Sequence, residues 1–279
     1  MKTILYSTDY SEHSISSLQY AYDLSMKLQA ELIVLHIFDV PTFSGTTIIS
    51  SLRQTQKRAY QEQRSIIDAY CTKHLGDKNK LKNVRTEVLK SISIVDGILE
   101  MAKKLSADMI IMGMKDKHSN RGVLVGDIAK QLLTKVPCPL LILPDNSSAK
   151  EIKNIVYATD FEEEDVFAIE KLAILAAAYQ AEIRVIHISS KKESDGEDQM
   201  SWFKEMVKEK VDYENIDFDI VFSNDVYEKL NDYVNTNETD IVALLEREDR
   251  GFFNRLFHRD LVKQVGANTV IPLLSFNAK

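Results

Sequence analysis

The chain has 279 residues, of which 44% are hydrophobic and 28% charged, as expected for globular protein and, at this length, for two domains. A formal net charge of −7, with no long basic stripe, argues against nucleic-acid binding. No run approaches the roughly 18 apolar residues of a membrane helix, and the two cysteines form no paired framework or metal-ligand spacing, so we expect no membrane association and a reducing, cytoplasmic location.

Strands and helices alternate along the first half of the chain. A short apolar run near residues 3–8 predicts the first strand, and an amphipathic helix over about 12–29 follows it. A longer, charged amphipathic helix is predicted over 50–75. Further β-rich runs lie near residues 31–38, 83–89, 108–113 and 139–143. This alternating order predicts a doubly wound, mainly parallel sheet, with any ligand at the carboxyl ends of the strands where the strand order reverses.

The second half of the chain repeats the first. The opening segment Lys2–Tyr10 is answered by Lys153–Phe161 at an offset of 151 residues. Further along, Ala107–Met112 matches Thr239–Leu244 at an offset of 132, so the second repeat is 19 residues shorter. The missing residues fall between its second and third strands, where the first repeat carries its long helix.

Two α/β domains are expected from this duplication: residues 1–145, which we call the first copy, and residues 150–279, the second copy. A polar, turn-forming linker joins them. Both copies resemble the universal stress protein family, and the resemblance is carried by Ile4–Ser14, Leu35–Ile37 and Pro137–Leu140. It implies that each copy has the doubly wound parallel sheet of the adenine nucleotide alpha hydrolase-like fold, with strand order 3-2-1-4-5.

The resemblance also implies how the two copies meet. Domains of this family pair through their last strands, so Leu140–Leu143 and Ile271–Leu274 are expected to lie edge to edge within one chain. The tandem chain is then its own pseudo-dimer. Association of two chains into a homodimer stays open.

A loop after the fourth strand is the candidate phosphate site. Nucleotide-binding members of the family carry Gly-x-x-Gly, nine residues, then Gly followed by Ser or Thr, because glycine lets backbone N–H groups approach phosphate. Gly113 and Gly126 keep the outer spacing, whereas Asp116 and Asp127 replace the second glycine and the hydroxyl residue. Like charges about 4 Å apart repel by roughly 1–4 kcal/mol. A bridging Mg²⁺ could offset this repulsion for ATP, as could the positive charge of Lys115, Lys117, His118 and Arg121 in the same loop. AMP is an alternative ligand. The other interpretation is a tight turn, with Asp127 as an N-terminal helix residue.

Two more residues match positions that meet the nucleoside in the family. Asp9 ends the first strand, and Ile37 corresponds to the apolar residue whose backbone meets adenine. Asp9 is also interpreted as a turn or cap residue, an alternative favoured by the retention of Asp160 in the second copy. The side chain of Ile37 is expected in the core.

The second copy lacks the phosphate loop. Its motif positions are Leu245, Glu248, His258 and Arg259, with no glycine among them. The aromatic segment Gly251–Phe257 is expected to pack into the vacated pocket, with a partner-binding surface as the alternative. We therefore expect at most one nucleotide per chain, in the first copy.

The leading hypothesis is a non-catalytic, adenine-nucleotide-responsive stress protein. No Gly-x-Ser-x-Gly elbow, Walker loop or dinucleotide fingerprint is present, so an enzyme is not expected; a slow ATPase is a weaker possibility. The alternative is a structural or interaction protein that binds no nucleotide in either copy.

Overall fold

The computed structural model describes residues 1–39, 49–77, 81–114, 127–145, 147–149, 151–189, 196–246 and 271–277. The elements of the first copy are β1 (Thr3–Thr8), α1 (His13–Lys27), β2 (Glu31–Phe38), α2 (Ile49–Leu75), β3 (Val84–Lys90), α3 (Ile94–Lys104), β4 (Met109–Gly113), α4 (Asp127–Leu133) and β5 (Leu140–Leu143). Those of the second copy are β6 (Asn154–Ala158), α5 (Glu163–Tyr179), β7 (Glu182–Ser189), α6 (Gly196–Lys210), β8 (Ile216–Phe222), α7 (Val226–Thr236), β9 (Ile241–Glu246) and β10 (Leu273–Asn277).

All of these strands form one sheet, in the order β3-β2-β1-β4-β5-β10-β9-β6-β7-β8. Within each copy the neighbouring strands are parallel and follow the predicted order 3-2-1-4-5, so the predicted fold class is confirmed. The two copies join where β10 pairs antiparallel with β5, with Leu274 opposite Leu141. Each of these strands therefore covers the hydrogen-bonding edge of the other.

Helices cover both faces of the sheet. Successive residues of β1 alternate between them: Ile4 and Tyr6 belong to a hydrophobic cluster with α1 and α2, whereas Leu5 belongs to a second cluster with α3 and α4. Both clusters continue from the first copy into the second. Because central strands are buried on both faces, they are apolar throughout rather than alternately polar.

The duplication extends to unusual backbone conformations. Among the described residues, six other than glycine have positive φ, and they form three pairs at equivalent places: Tyr10 and Phe161 (62° and 62°), Gln29 and Gln180 (53° and 58°), and Ser106 and Glu238 (49° and 46°). Such conformations are uncommon for residues with a Cβ. Their recurrence at the offsets seen in the sequence therefore indicates that the two copies share their turn geometry as well as their strands.

One repeated carboxylate explains a repeated sequence motif. Asp108, just before β4, accepts the backbone N–H groups of Lys2 and Thr3 on Oδ2, at 2.6 and 2.9 Å. Asp240, before β9, does the same for the start of β6, at 2.7 and 2.9 Å. Each carboxylate satisfies two donors at the amino end of its central strand, which fixes where that strand begins.

In the described part of the chain, no helix combines the length and apolar character needed to cross a membrane.

Candidate functional site

The candidate site lies where β1 and β4 end side by side. These two strands are hydrogen-bonded neighbours, with Ser7 opposite Met112. Asp9 follows β1 and Gly113 ends β4. The reversal of strand order therefore brings Asp9 and Gly113 to the same edge of the sheet, where doubly wound folds bind ligands.

Asp9 organises the turn that leads into α1. Its Oδ1 accepts the backbone N–H of Ser11 at 3.0 Å and the hydroxyl of Ser14 at 2.6 Å. Tyr10, between them, has φ of 62° and donates its N–H to Thr8 Oγ1 at 3.1 Å. The Asp9 side chain is nevertheless exposed. The turn interpretation of Asp9 thus has direct structural support, while its exposure keeps the carboxylate accessible to a ligand.

Packing explains the glycine at position 113, whether or not the site binds a ligand. A Cβ built on Gly113 would lie 2.6 Å from Ser17 Oγ of α1, closer than real side chains approach. The Ser17 side chain is 1% exposed, and its hydroxyl makes no hydrogen bond in the described structure. The glycine therefore lets α1 lie close against the end of β4.

Ile37 is a core residue at the side-chain level. It belongs to the cluster that packs under α3 and α4, and a Cβ on Gly97 of α3 would lie 2.8 Å from its Cδ1. Ile37 therefore helps to set how closely α3 approaches β2.

Three predicted site residues are not placed by the structure. Asp116 and Gly126 lie outside the described residues. Asp127 is the first residue of α4, as the helix interpretation predicts, but its side chain is not among those described. Their contact with a ligand stays a prediction.

A pair that the sequence did not indicate spans the site. His13, at the start of α1, lies with Nδ1 2.8 Å from Oδ2 of Asp145, which follows β5. Since β4 lies between β1 and β5 in the sheet, the contact links the segments that follow the two neighbours of β4. The two residues are 132 positions apart, so no local pattern could have revealed the contact.

The equivalent turn of the second copy uses a different carboxylate. Asp165 of α5 is 3% exposed and accepts the Tyr157 hydroxyl at 2.6 Å, the Thr159 hydroxyl at 2.8 Å and the N–H groups of Asp160 and Glu162 at 3.3 and 3.1 Å. Burial raises the pKa of the Asp165 carboxyl, and these hydrogen bonds oppose the rise. Asp160 is exposed, and no described group donates to its side chain. The carboxylate that holds this turn is therefore Asp165, at the position equivalent to Ser14, rather than Asp160, the equivalent of Asp9.

Bulky and acidic side chains fill the end of β9. Leu245 stands where the first copy has Gly113, and it is 8% exposed. Glu246 follows it, 3% exposed, with an Oε2 that no described group contacts by a hydrogen bond. Burial raises the pKa of this carboxyl to about 7. Glu248, His258, Arg259 and the Gly251–Phe257 segment lie outside the described residues, so their predicted roles are untested.

A histidine near the end of the second strand of each copy is held by the backbone. His36 Nδ1 lies 2.9 Å from the Thr8 carbonyl oxygen, and its ring stacks on Tyr10 at 4.0 Å. His187 repeats this arrangement with Thr159 and Phe161, at 2.9 and 4.2 Å. Because a carbonyl only accepts, Nδ1 carries the hydrogen in both rings. Within the described ranges, no group of three or more His, Cys, Asp or Glu side chains is arranged to hold a metal ion.

Comparison with known proteins decides the family. A profile of the universal stress protein family matches residues 1–144. The chain belongs to the universal stress protein family. Its relatives include a universal stress protein of Methanocaldococcus jannaschii, 25% identical over 142 residues (51% of this chain and 81% of the relative), and the stress response protein NhaX of Bacillus subtilis, 26% identical over 161 residues (50% and 96%).

The fold of the whole chain also has a solved counterpart. A universal stress protein from Archaeoglobus fulgidus superposes with a TM-score of 0.72, covering 99% of this chain and 98% of its own, at 15% identity. This likeness, which spans both copies, shows a shared fold.

Proposed function

We propose that this universal stress protein is a cytoplasmic stress-response module that binds an adenine nucleotide in its first copy. The observation that carries the proposal is the exposed Asp9 carboxylate, held beside Gly113 at the point where the strand order reverses. A carboxylate there accepts hydrogen bonds from nucleoside hydroxyl or amino groups. The second copy offers Leu245 and the buried Glu246 at the matching strand end, which favours one nucleotide per chain.

The site is proposed to bind rather than to catalyse. Ser14 donates its hydroxyl to Asp9, and Ser11 Oγ lies 3.0 Å from Ser14 Oγ, so both hydroxyls are engaged with each other and with a carboxylate. The nearby His13 is paired with Asp145. A serine nucleophile needs its base within hydrogen-bonding reach, and among the described residues no imidazole is a hydrogen-bond partner of either serine.

Charge at the loop decides between ATP and AMP. Asp116 and Asp127 would repel phosphate, and the repulsion grows with the number of phosphates. We therefore expect AMP to bind without a metal, and ATP to bind well only when Mg²⁺ neutralises its phosphates.

Calorimetric titration with AMP, and with ATP in the presence and absence of Mg²⁺, tests the proposal. Asp9→Asn keeps an oxygen for the turn but removes the charge, and it should weaken AMP binding about tenfold. Asp160→Asn is the matched control in the second copy and should leave the affinity unchanged. Gly113→Val is a poor probe because its side chain would overlap Ser17. No heat and no thermal shift at millimolar nucleotide would refute the proposal.

That negative result would favour the second candidate, an interaction protein with two degenerate pockets. The observation in its favour is that packing alone explains Gly113 and turn formation alone explains Asp9.

We also propose that the paired copies form an intramolecular pseudo-dimer in solution. The antiparallel β5–β10 contact supports this, because it occupies the strand edges through which separate domains would associate. Sedimentation at the mass of one chain is expected. A stable homodimer would contradict the expectation and require a second interface.

A further inference from the structure

Equivalent turns of the two copies take their carboxylate from different residues. In the first copy, Asp9 supplies it from the end of β1. In the second copy, Asp165 supplies it from the first turn of α5. At the repeat offset of 151 residues, Asp9 corresponds to Asp160 and Asp165 corresponds to Ser14. A carboxylate has thus been retained in the turn while its position in the sequence has changed.

Ser14 is the residue that ties Asp9 into the first turn. Its hydroxyl donates to Asp9 Oδ1 at 2.6 Å, a short distance typical of a hydrogen bond to a charged acceptor. Ser14 is itself fixed, because the buried Tyr6 hydroxyl donates to its carbonyl oxygen at 2.7 Å. The second donor to Oδ1 is the backbone N–H of Ser11 at 3.0 Å. Two donors on one oxygen restrict rotation of the carboxylate and so set the direction of its other oxygen, Oδ2.

Asp160 has no such support. The position of Ser14 is occupied by Asp165, whose carboxylate faces Tyr157 and Thr159 and accepts the backbone N–H of Asp160. An acidic side chain at position 165 cannot donate to Asp160 when ionised. The Asp160 carboxylate is exposed, and no described donor orients it.

We propose that Ser14 is a positioning residue for ligand binding, which holds the Asp9 carboxylate in the orientation that a nucleoside meets. The inference rests on the proposed function and explains why the first copy is the one suited to it. A pre-oriented acceptor loses less conformational freedom on binding than a free side chain. In the second copy Asp165 stands in place of Ser14, so no serine orients the Asp160 carboxylate there. This difference is separate from the lack of glycines at the motif positions of the second loop.

The contact itself is tested without any ligand, by a double-mutant cycle on the full chain. Ser14→Ala and Asp9→Ala should each raise the equilibrium constant of unfolding about tenfold, because each removes hydrogen bonds to a charged group. The double variant should also raise the equilibrium constant of unfolding about tenfold, whereas two independent effects would multiply to about a hundredfold. In a Ser14→Asp background, which copies the second turn, Asp9→Ala should change the constant less than about twofold. Multiplicative effects would overturn the inference.

The role in binding is tested by AMP affinity. Ser14→Ala should raise the Kd about five- to tenfold, and should have no further effect when Asp9 is already alanine. Ser16→Ala is the matched control, because Ser16 is a half-buried serine of the same helix whose hydroxyl bonds the His13 carbonyl oxygen at 3.4 Å rather than Asp9. If the wild type binds AMP and Ser14→Ala binds it equally well, the positioning role is refuted. If the wild type binds no AMP, the proposed function fails, and the unfolding cycle still decides whether Ser14 holds Asp9.

Discussion

Replacing Asp165 with alanine should disrupt the turn between β6 and α5. The carboxylate accepts four hydrogen bonds, and two of the donors, the hydroxyls of Tyr157 and Thr159, belong to residues that are 0% and 3% exposed. Removing the carboxylate that accepts from each buried hydroxyl costs about 1–3 kcal/mol. The donors Asp160 N–H and Glu162 N–H lie in an only partly buried turn, where water replaces the lost acceptor at lower cost. Relief from burying a carboxylate offsets part of this, so we expect a net loss of about 3–5 kcal/mol.

Urea denaturation followed by circular dichroism measures this loss as a lower midpoint at an unchanged slope. Asp160→Ala is the matched control, since it removes an exposed carboxylate from the same turn and should cost less than about 0.5 kcal/mol. The reasoning is refuted if Asp165→Ala costs less than about 1 kcal/mol. It is also refuted if the two variants are equally destabilised, because the turn would then depend on Asp160 as the sequence alone suggested.

Three further predictions concern other buried polar groups. Burial raises the pKa of Glu246 from 4.5 to about 7, so the folded state binds this proton more tightly than the unfolded state. The free energy of unfolding should therefore fall by up to about 3 kcal/mol as pH rises from about 4.5 to 7. Glu246→Gln should make the free energy, measured from denaturation curves, less dependent on pH in this range. Parallel pH profiles of the wild type and the variant would refute the raised pKa of Glu246. Ser17→Ala removes a buried hydroxyl that has no hydrogen-bond partner in the described part of the chain, and it should raise stability by up to about 1 kcal/mol. Gly113→Ala should cost about 1–3 kcal/mol, and less in the Ser17→Ala background. Additive free energies of unfolding would show that the two side chains do not collide. Tyr10→Phe removes another buried hydroxyl that has no hydrogen-bond partner among the described residues. It should be neutral or stabilising by up to about 1 kcal/mol in thermal melts, and a loss above about 1 kcal/mol would reveal a hydrogen-bonded water or partner at the hydroxyl.

The sequence predicted the strands well because central parallel strands carry a strong local signal. The run near 3–8 coincides with β1, and the run near 31–38 coincides with β2. The long charged helix predicted over 50–75 is α2, Ile49–Leu75. Strand order came from a different source, the family resemblance, because hydrophobic patterning does not specify which strands are neighbours.

The site was predicted less completely for two reasons. Some of its contacts join residues far apart in the sequence, and the carboxylate that holds the turn comes from non-equivalent positions in the two copies. The sequence showed that Asp9 and Asp160 are equivalent, and from this it suggested equivalent roles. It did not show that Asp165 replaces Ser14 as the acidic member of the second turn, although both residues were visible at the repeat offset. The signal that could have revealed the exchange is the gain of a buried acid beside a repeated strand tyrosine, Tyr157.

The continuous sheet explains why the two copies share their packing while the residues at their strand ends differ. Strand β10 covers the edge of β5, and Phe276 of that strand belongs to the same hydrophobic cluster as Leu141. The first copy therefore depends on a folded second copy for its own last strand, whether or not the second copy binds anything. The second copy also uses more apolar side chains than the first at one equivalent contact. Phe161 and Phe203 form the aromatic contact that Tyr10 and Tyr70 form in the first copy, at ring distances of 5.6 and 5.5 Å. Aromatic rings without hydroxyls at these positions, and Leu245 at the strand end, both favour burial over ligand access in the second copy.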